Sequence, residues 1–103
     1  MYAEELKGHL DALILAVIAS GPIHGYGVIQ ELGARSDGKL ALPEGTVYPA
    51  LHRLERGGLL SSTWSDAGRK RRVYSLTRSG ERELGVRRAR WREFSGTVEA
   101  VLA

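Results

Sequence analysis

The sequence predicts a mainly α-helical fold with one small β-hairpin and a long final helix. Three observations lead to this prediction. Apolar residues recur at helical spacing in four segments. Two short segments with enough apolar or β-branched residues to pair flank a turn sequence, which is typical of a hairpin. Glycine or proline separates most of these segments. A chain of 103 residues is long enough for one modest core.

The first two predicted helices are short and end at clear signals. The first has a core-facing stripe at the i, i+3, i+4, i+7, i+8 positions and stops at Ser20-Gly21-Pro22. Its stripe consists of Leu10, Leu13, Ile14, Val17 and Ile18. The second spans about residues 24–35. Gly25 and Gly27 weaken its first turn, which indicates close approach of its backbone to a neighbouring element.

The third predicted helix begins near Glu44 and stops at Gly57-Gly58. Its core stripe is Val47, Leu51 and Leu54, with Ala50 packing closely. Pro49 lies in the opening turns, where few intrahelical bonds are lost, so it need not break the helix. Before this helix, residues 36–39 predict a turn, and residues 40–42 are too short for more than an edge strand.

A β-hairpin is predicted from residues 59–65 and 72–76, joined by a turn at residues 66–68. Its tip carries four consecutive cations, Arg69, Lys70, Arg71 and Arg72. Phosphate or minor-groove contact is one interpretation of this run. A solvated turn whose arginines pair with nearby acids is the alternative.

A long last helix is predicted from an N-cap at Thr77 towards Leu102. Its apolar residues are spaced 7, 3, 4 and 3 apart, which is a stripe suited to pairing with another helix. We therefore divide the chain into a first part, residues 1–76, and a C-terminal dimerisation helix, residues 77–103. The candidate dimerisation residues are Leu84, Trp91, Phe94, Val98 and Val101.

The order of three helices, a hairpin and a helix is that of a winged helix-turn-helix with a C-terminal extension. The third helix would then enter the major groove of DNA. If its apolar stripe faces the core, the outer face carries Thr46, Tyr48, Pro49, His52 and Arg53. Thr46 and Tyr48 can bond phosphates or base edges, and Pro49 can pack on a thymine methyl group. Arg53 suits a phosphate or a guanine edge, whereas His52 alone is a weak signal.

Composition agrees with a DNA-binding role and argues against other classes. The net charge is +3, and twelve of the fifteen cations are arginine, concentrated in residues 69–72 and 78–92. A solvated helix face beside an ordinary loop would give the same composition. No apolar run reaches the length of a membrane span, and the absence of cysteine fits a reducing cytoplasm. His9, His24 and His52 show no metal-ligand spacing, so we expect no metal. The sequence has no Cys-His or Ser-His-Asp spacing and no phosphate-cradling glycine loop, so we expect neither an enzyme nor a cofactor.

Three motifs resemble the PadR family of bacterial transcriptional regulators. They are residues 43–55 (PEGTVYPALHRLE), residues 24–27 (HGYG) and residues 68–77 (GRKRRVYSLT). The resemblance covers about residues 8–80. It implies a homodimer whose last helices swap across the two-fold axis, release of DNA on effector binding, and repression of nearby genes. On this basis Tyr26 joins the candidate DNA-binding residues.

The single C-terminal helix resembles the small subfamily that contains the lactococcal multidrug-responsive repressor. That resemblance implies a role for Trp91 in stacking on a planar effector, with Arg88, Ser95 and Asp11 as further candidate effector-binding residues. Packing of Trp91 within a dimer core fits its spacing equally well. The arginines near Trp91 suit an anionic or polar effector better than a cationic dye.

The leading hypothesis is therefore a cytoplasmic homodimer that binds double-stranded DNA at an inverted repeat in the bacterial nucleoid and represses transcription. The alternative is a winged-helix module that binds another protein and no specific DNA, because a fold does not fix its function.

Overall fold

A computed structural model describes residues 3–65 and 70–103 of the chain. The elements follow in the order α1 (Ala3–Leu6), α2 (Leu10–Ala19), β1 (Ile23–His24), α3 (Gly25–Arg35), α4 (Glu44–Arg56), β2 (Leu60–Ser65), β3 (Arg71–Leu76) and α5 (Arg78–Leu102). The predicted fold class, mainly helical with a hairpin and a long last helix, is confirmed. The four predicted helices correspond to α2, α3, α4 and α5.

The strands form one antiparallel sheet in the order β1-β3-β2. β2 and β3 are the predicted hairpin, with Leu60 opposite Leu76 and Trp64 opposite Arg72. β1 adds to the other edge of β3, where Ile23 lies opposite Tyr74. This third strand was not predicted. Residues 40–42, which are too short for more than an edge strand, form no strand and precede α4 without pairing. A two-residue strand carries no alternation from which a sequence could reveal it.

The core lies where α2, α3 and α4 meet the sheet. The predicted stripe of α4 is buried, as are Ile14, Val17 and Ile18 of α2. Pro49 is accommodated inside α4, as expected. The sheet contributes Leu60 and Tyr74, and α5 contributes Leu84. Four helices and a sheet thus share one core, which fixes α4 relative to the hairpin.

The beginning of α5 is held tightly against the corner between α4 and β2. The Thr77 hydroxyl accepts a hydrogen bond from the Gly80 amide at 3.0 Å, which confirms the predicted N-cap. The same hydroxyl donates to the Gly58 carbonyl at 2.6 Å. A methyl group at Gly80 would collide with the Leu59 carbonyl, so only glycine permits this approach. The first turn of α5 is therefore fixed to the chain segment that leaves α4.

Candidate nucleic-acid interface

The outer face of α4 presents the residues that the sequence placed there. Pro49, His52 and Arg53 are exposed, while Thr46 and Tyr48 are half-buried. The opposite face of the helix is fully occupied by the core, because Val47, Ala50, Leu51 and Leu54 are buried. The structure therefore brings all five candidates to the surface along the first three turns of α4.

Arg53 is engaged by another helix. Its guanidinium makes a bidentate ion pair with Asp11 of α2, at 2.7 and 2.9 Å. The hydrogen bond to Asp11, followed by the charge of the same carboxylate, raises the pKa of Arg53 above its already high value. In this conformation Arg53 links α4 to α2. A DNA phosphate could bind the Arg53 guanidinium in the same bidentate way only by replacing the Asp11 carboxylate.

Tyr48 lies across the start of α3. A methyl group at Gly25 would lie 2.5 Å from the Tyr48 ring, so the predicted close approach at Gly25 is confirmed and its neighbour is α4. Burial, and then the negative charge of Glu44, raise the pKa of the Tyr48 hydroxyl. The phenol thus stays protonated around neutral pH, as a donor towards a phosphate oxygen requires.

The Arg72 side chain contacts other residues of the hairpin. Its Nε donates to the Ser62 hydroxyl at 2.8 Å, and that hydroxyl donates to the Glu55 carboxylate of α4 at 2.5 Å. The guanidinium lies 5.0 Å from the centre of the Trp64 ring, directly across the two strands. Arg72 thus contacts a hydroxyl and an aromatic ring of its own chain, and it reaches the Glu55 carboxylate only through Ser62.

Two other cations of the run, Lys70 and Arg71, differ from Arg72. Lys70 and Arg71 are exposed beside a notch of about 540 Å³ between α3, α4 and the hairpin, and Arg69 lies outside the described residues. Tyr26, which is 51% exposed, lies at the same notch with Tyr48 and Trp64. His24 also borders it, with Nε2 2.9 Å from Nη1 of Arg71. Sequence reasoning missed His24, because its neighbour is 47 positions away.

The second half of α5 stands apart from the core. Trp91 is 52% exposed, Phe94 59% and Val101 79%. Leu84, by contrast, is buried in the core of its own chain, which removes it from the surface offered to a second chain. Val98 is half-buried. Of the five candidate dimerisation residues, the other four thus lie beyond Leu84 on α5 and outside the core.

Trp91 borders an open groove of about 1000 Å³ between α2, α5 and the loop before α4. Its ring meets His9 edge-on, with 5.1 Å between ring centres, and lies 6.5 Å from the Phe94 ring. Arg88 also lines this groove, together with Lys39 and Arg90. Ser95 lies on α5 with its hydroxyl turned to the Arg92 carbonyl at 3.4 Å, and Asp11 faces Arg53 instead. Two of the four candidate effector-binding residues therefore meet at the groove.

The helices α3 and α4 joined by residues 36–43, followed by the hairpin β2–β3, form a winged helix-turn-helix, a fold that inserts its second helix into the major groove of DNA. A surface of hydroxyl groups and cations beside that helix fits a phosphate backbone. The class that the fold and the surface define is a DNA-binding regulator of transcription.

Comparison with known proteins identifies the family. Residues 14–86 match the model of the "Transcriptional regulator PadR-like family". The chain belongs to this family, whose members are DNA-binding regulators and not enzymes. This membership favours the DNA-binding hypothesis over the protein-binding alternative. The finer resemblance to the lactococcal multidrug-responsive subfamily stays a prediction.

Several solved structures and one curated regulator are similar to the chain. A PadR-like transcription factor from Bacteroides fragilis is 36% identical, with a TM-score of 0.78 and coverage of 96% of this chain and 95% of that one. A PadR-like regulator from Bacillus cereus is 31% identical, with a TM-score of 0.84 and 96% of each chain covered. Transcriptional regulator Rv3488 of Mycobacterium tuberculosis is 42% identical over 72 residues, which are 69% of this chain and 64% of that protein.

Within the described parts of the chain, no helix is both long and apolar enough to cross a bilayer.

Proposed function

We propose that the chain works as a homodimeric repressor: two copies pair through α5, bind an inverted-repeat operator with their α4 helices, and release it when an effector binds. The observation that carries the proposal is the exposure of Trp91, Phe94 and Val101 on a helix whose first half is packed. An exposed apolar surface of this kind marks an interaction site. A second copy of the same helix offers a matching apolar stripe.

The surface beside α4 supports the DNA-binding part of this proposal. Thr46, Tyr48 and Pro49 occupy the beginning of α4, the end that a recognition helix directs towards base edges. Lys70 and Arg71 flank it as exposed cations of the hairpin. Two such units related by a two-fold axis fit half-sites about one helical turn, roughly 34–36 Å, apart. The repressor would act on chromosomal DNA in the bacterial cytoplasm.

The groove at Trp91 supports the effector-responsive part. An indole edge, an imidazole and a phenyl ring provide apolar contacts for a planar molecule. Arg88, Arg90 and Lys39 also line the groove, where cations outnumber the two carboxylates, those of Glu5 and Asp37. A planar effector that is anionic or polar fits these groups better than a cationic one.

DNA binding is tested with the promoter region of the chain's own gene in a mobility-shift titration over a range of salt concentrations. If the dimer neutralises about eight phosphates, the logarithm of the affinity falls with the logarithm of salt with a slope near −7. Lys70→Ala should weaken binding to operator and random duplex alike, whereas Thr46→Ala should weaken the operator complex more. A slope near zero for the wild-type chain would contradict the proposal.

The effector site is tested by fluorescence. Because the chain has two tryptophans, Trp64→Phe leaves Trp91 as the single emitter. Planar aromatic anions should quench Trp91 at the concentrations that dissociate the DNA complex. A ligand that dissociates DNA without quenching or shifting Trp91 emission would place the effector elsewhere.

A further inference from the structure

His24 connects the beginning of α3 to the hairpin through both ring nitrogens. Its Nδ1 accepts a hydrogen bond from the Gly27 amide at 3.0 Å and so caps α3. On the other side of the ring, Nε2 lies 2.9 Å from Nη1 of Arg71. One side chain thus has a structural contact and a second contact that faces the notch.

The cap decides which nitrogen of His24 carries the proton. A backbone amide only donates, so Nδ1 must offer its lone pair, and the proton of the neutral imidazole then lies on Nε2. Arginine has no acceptor. Nε2–H and the guanidinium are therefore two donors that face each other without an acceptor between them. The reverse tautomer would leave the amide of the buried Gly27 opposite a second N–H, which is costlier than an exposed arginine without a partner.

The surroundings of this pair favour an anion. No carboxylate lines the notch within the described parts of the chain, whereas Lys70 and the hydroxyl-bearing Tyr26 and Tyr48 do. The carboxylate that helps to raise the pKa of Tyr48 is that of Glu44, at the start of α4, which does not line the notch. The notch opens between α4 and the hairpin, where the backbone of a DNA strand would pass if α4 entered the major groove.

We propose that Nε2–H of His24 and the guanidinium of Arg71 together bind one phosphate of the DNA backbone, so that the residue that caps α3 also fixes the position of the protein on DNA. The phosphate oxygen supplies the acceptor that the two donors lack. This inference rests on the proposed DNA-binding function. It assigns a binding role to His24, and it makes Arg71 a phosphate ligand that lies beside a histidine in the free protein.

The test uses His24→Ser, because serine is a preferred N-cap residue and keeps an acceptor for the Gly27 amide while it removes Nε2–H. Operator and random-sequence duplexes are titrated by fluorescence anisotropy. We expect about a 10-fold loss of affinity on both, since a hydrogen bond to a charged group is lost, and an unchanged salt slope, since no charge is lost. Arg71→Ala should also weaken binding, and it should make the negative salt slope shallower by about 0.9 for each phosphate contact that is lost. The double variant should lose less than the product of the two single losses.

Arg82→Ala is the matched control, since it removes one exposed cation of α5 whose side chain bonds Ser79 away from the notch. It should leave the affinity within about 2-fold of the wild type. If His24→Ser binds DNA as tightly as the wild type, or if the two losses multiply, the phosphate site is overturned while the DNA-binding function stands. If the wild-type chain binds no duplex at low salt, both fail together.

A second measurement uses the wild-type protein, so that its result does not depend on whether His24→Ser keeps the cap of α3. Long-range ¹H–¹⁵N spectra of the wild-type imidazole should show Nδ1 unprotonated and Nε2 protonated in the free protein. Addition of duplex DNA should shift Nε2 and leave Nδ1 in place. An Nε2 signal unchanged at saturating DNA would overturn the proposal whatever the stability of the variant.

Discussion

The helices α4 and α5 both carry an apolar stripe, but only α4 has buried it. Val47, Leu51 and Leu54 of α4 lie in the core of the chain, whereas Trp91, Phe94 and Val101 of α5 face solvent. The residue types are equally apolar in the two stripes. What differs is the presence of a surface to pack against, because α5, at about 37 Å long, extends past the other elements. An apolar stripe predicts that a helix face will be buried. The rest of the fold decides whether that face packs inside its own chain or against a second copy.

The largest expected effect comes from the buried stripe. Leu51→Ala removes a fully buried side chain at the centre of the core, so we expect the free energy of unfolding to fall by about 2–5 kcal/mol. Urea denaturation followed by circular dichroism measures this loss. His52→Ala, one position along on the exposed face, is the control and should change stability by less than about 0.5 kcal/mol. Equal losses for the two variants would remove the distinction between the faces of α4.

A substitution in the exposed stripe of α5 should change the self-association of the chain and not its folding stability. Phe94→Glu places a charge in the surface that we propose pairs with a second copy, so the dissociation constant of the dimer should rise about 30-fold or more, which corresponds to about 2 kcal/mol. Sedimentation equilibrium over a range of concentrations measures it. Ala100→Glu, at an exposed position on the opposite side of the same helix, is the control and should leave self-association nearly unchanged. If Phe94→Glu stays as associated as the wild type, α5 does not form the dimer.

A smaller effect is expected where the two helices meet. Thr77→Ala removes both the cap of α5 and the hydrogen bond to the carbonyl of Gly58 behind α4. We expect a loss of about 1 kcal/mol in unfolding free energy. Thr77→Ser keeps the hydroxyl and should retain most of the stability. Equal losses in the two variants would show that the methyl group, not the hydroxyl, holds the joint.

The smallest effect concerns the environment beneath α4. Burial, and then the charge of Glu55, raise the pKa of the Tyr74 hydroxyl above its ordinary value near 10. Unfolded Tyr74 therefore loses its proton first, so the contribution to stability is complete below pH about 10 and is lost as the pH rises through the folded-state pKa. Urea denaturation between about pH 8 and pH 11 should show a shallower decline for Tyr74→Phe than for the wild type. Parallel declines would contradict a desolvated hydroxyl.

Local signals were enough to predict most of the fold. Helical spacing, the N-cap at Thr77 and the glycines at residues 57–58 predicted α4 and α5 to within a residue or two. The outer face of α4 followed from its stripe for the same reason. These features depend on neighbours three or four positions apart, which a sequence displays directly.

Contacts between distant residues were beyond such reasoning. Arg53 looked free for DNA, yet it pairs with Asp11, 42 positions away. Arg72 looked like its neighbours in the cationic run, yet the strand directs it towards Ser62 and Trp64. In both cases an arginine with several donors found an acceptor brought close by the fold, and no periodicity records which acceptor that is.

The tight joint between Gly80 and Leu59 has a mechanical consequence. Because there is no space for even a methyl group at that point, the start of α5 cannot shift relative to the corner between α4 and the hairpin. A rotation of α5 would therefore carry that corner with it. In the proposed dimer, a small change in the crossing angle of the two α5 helices would move both of these corners. The distance between the two α4 helices, and hence the fit to a fixed half-site spacing, would then be set by residues more than a dozen positions along α5.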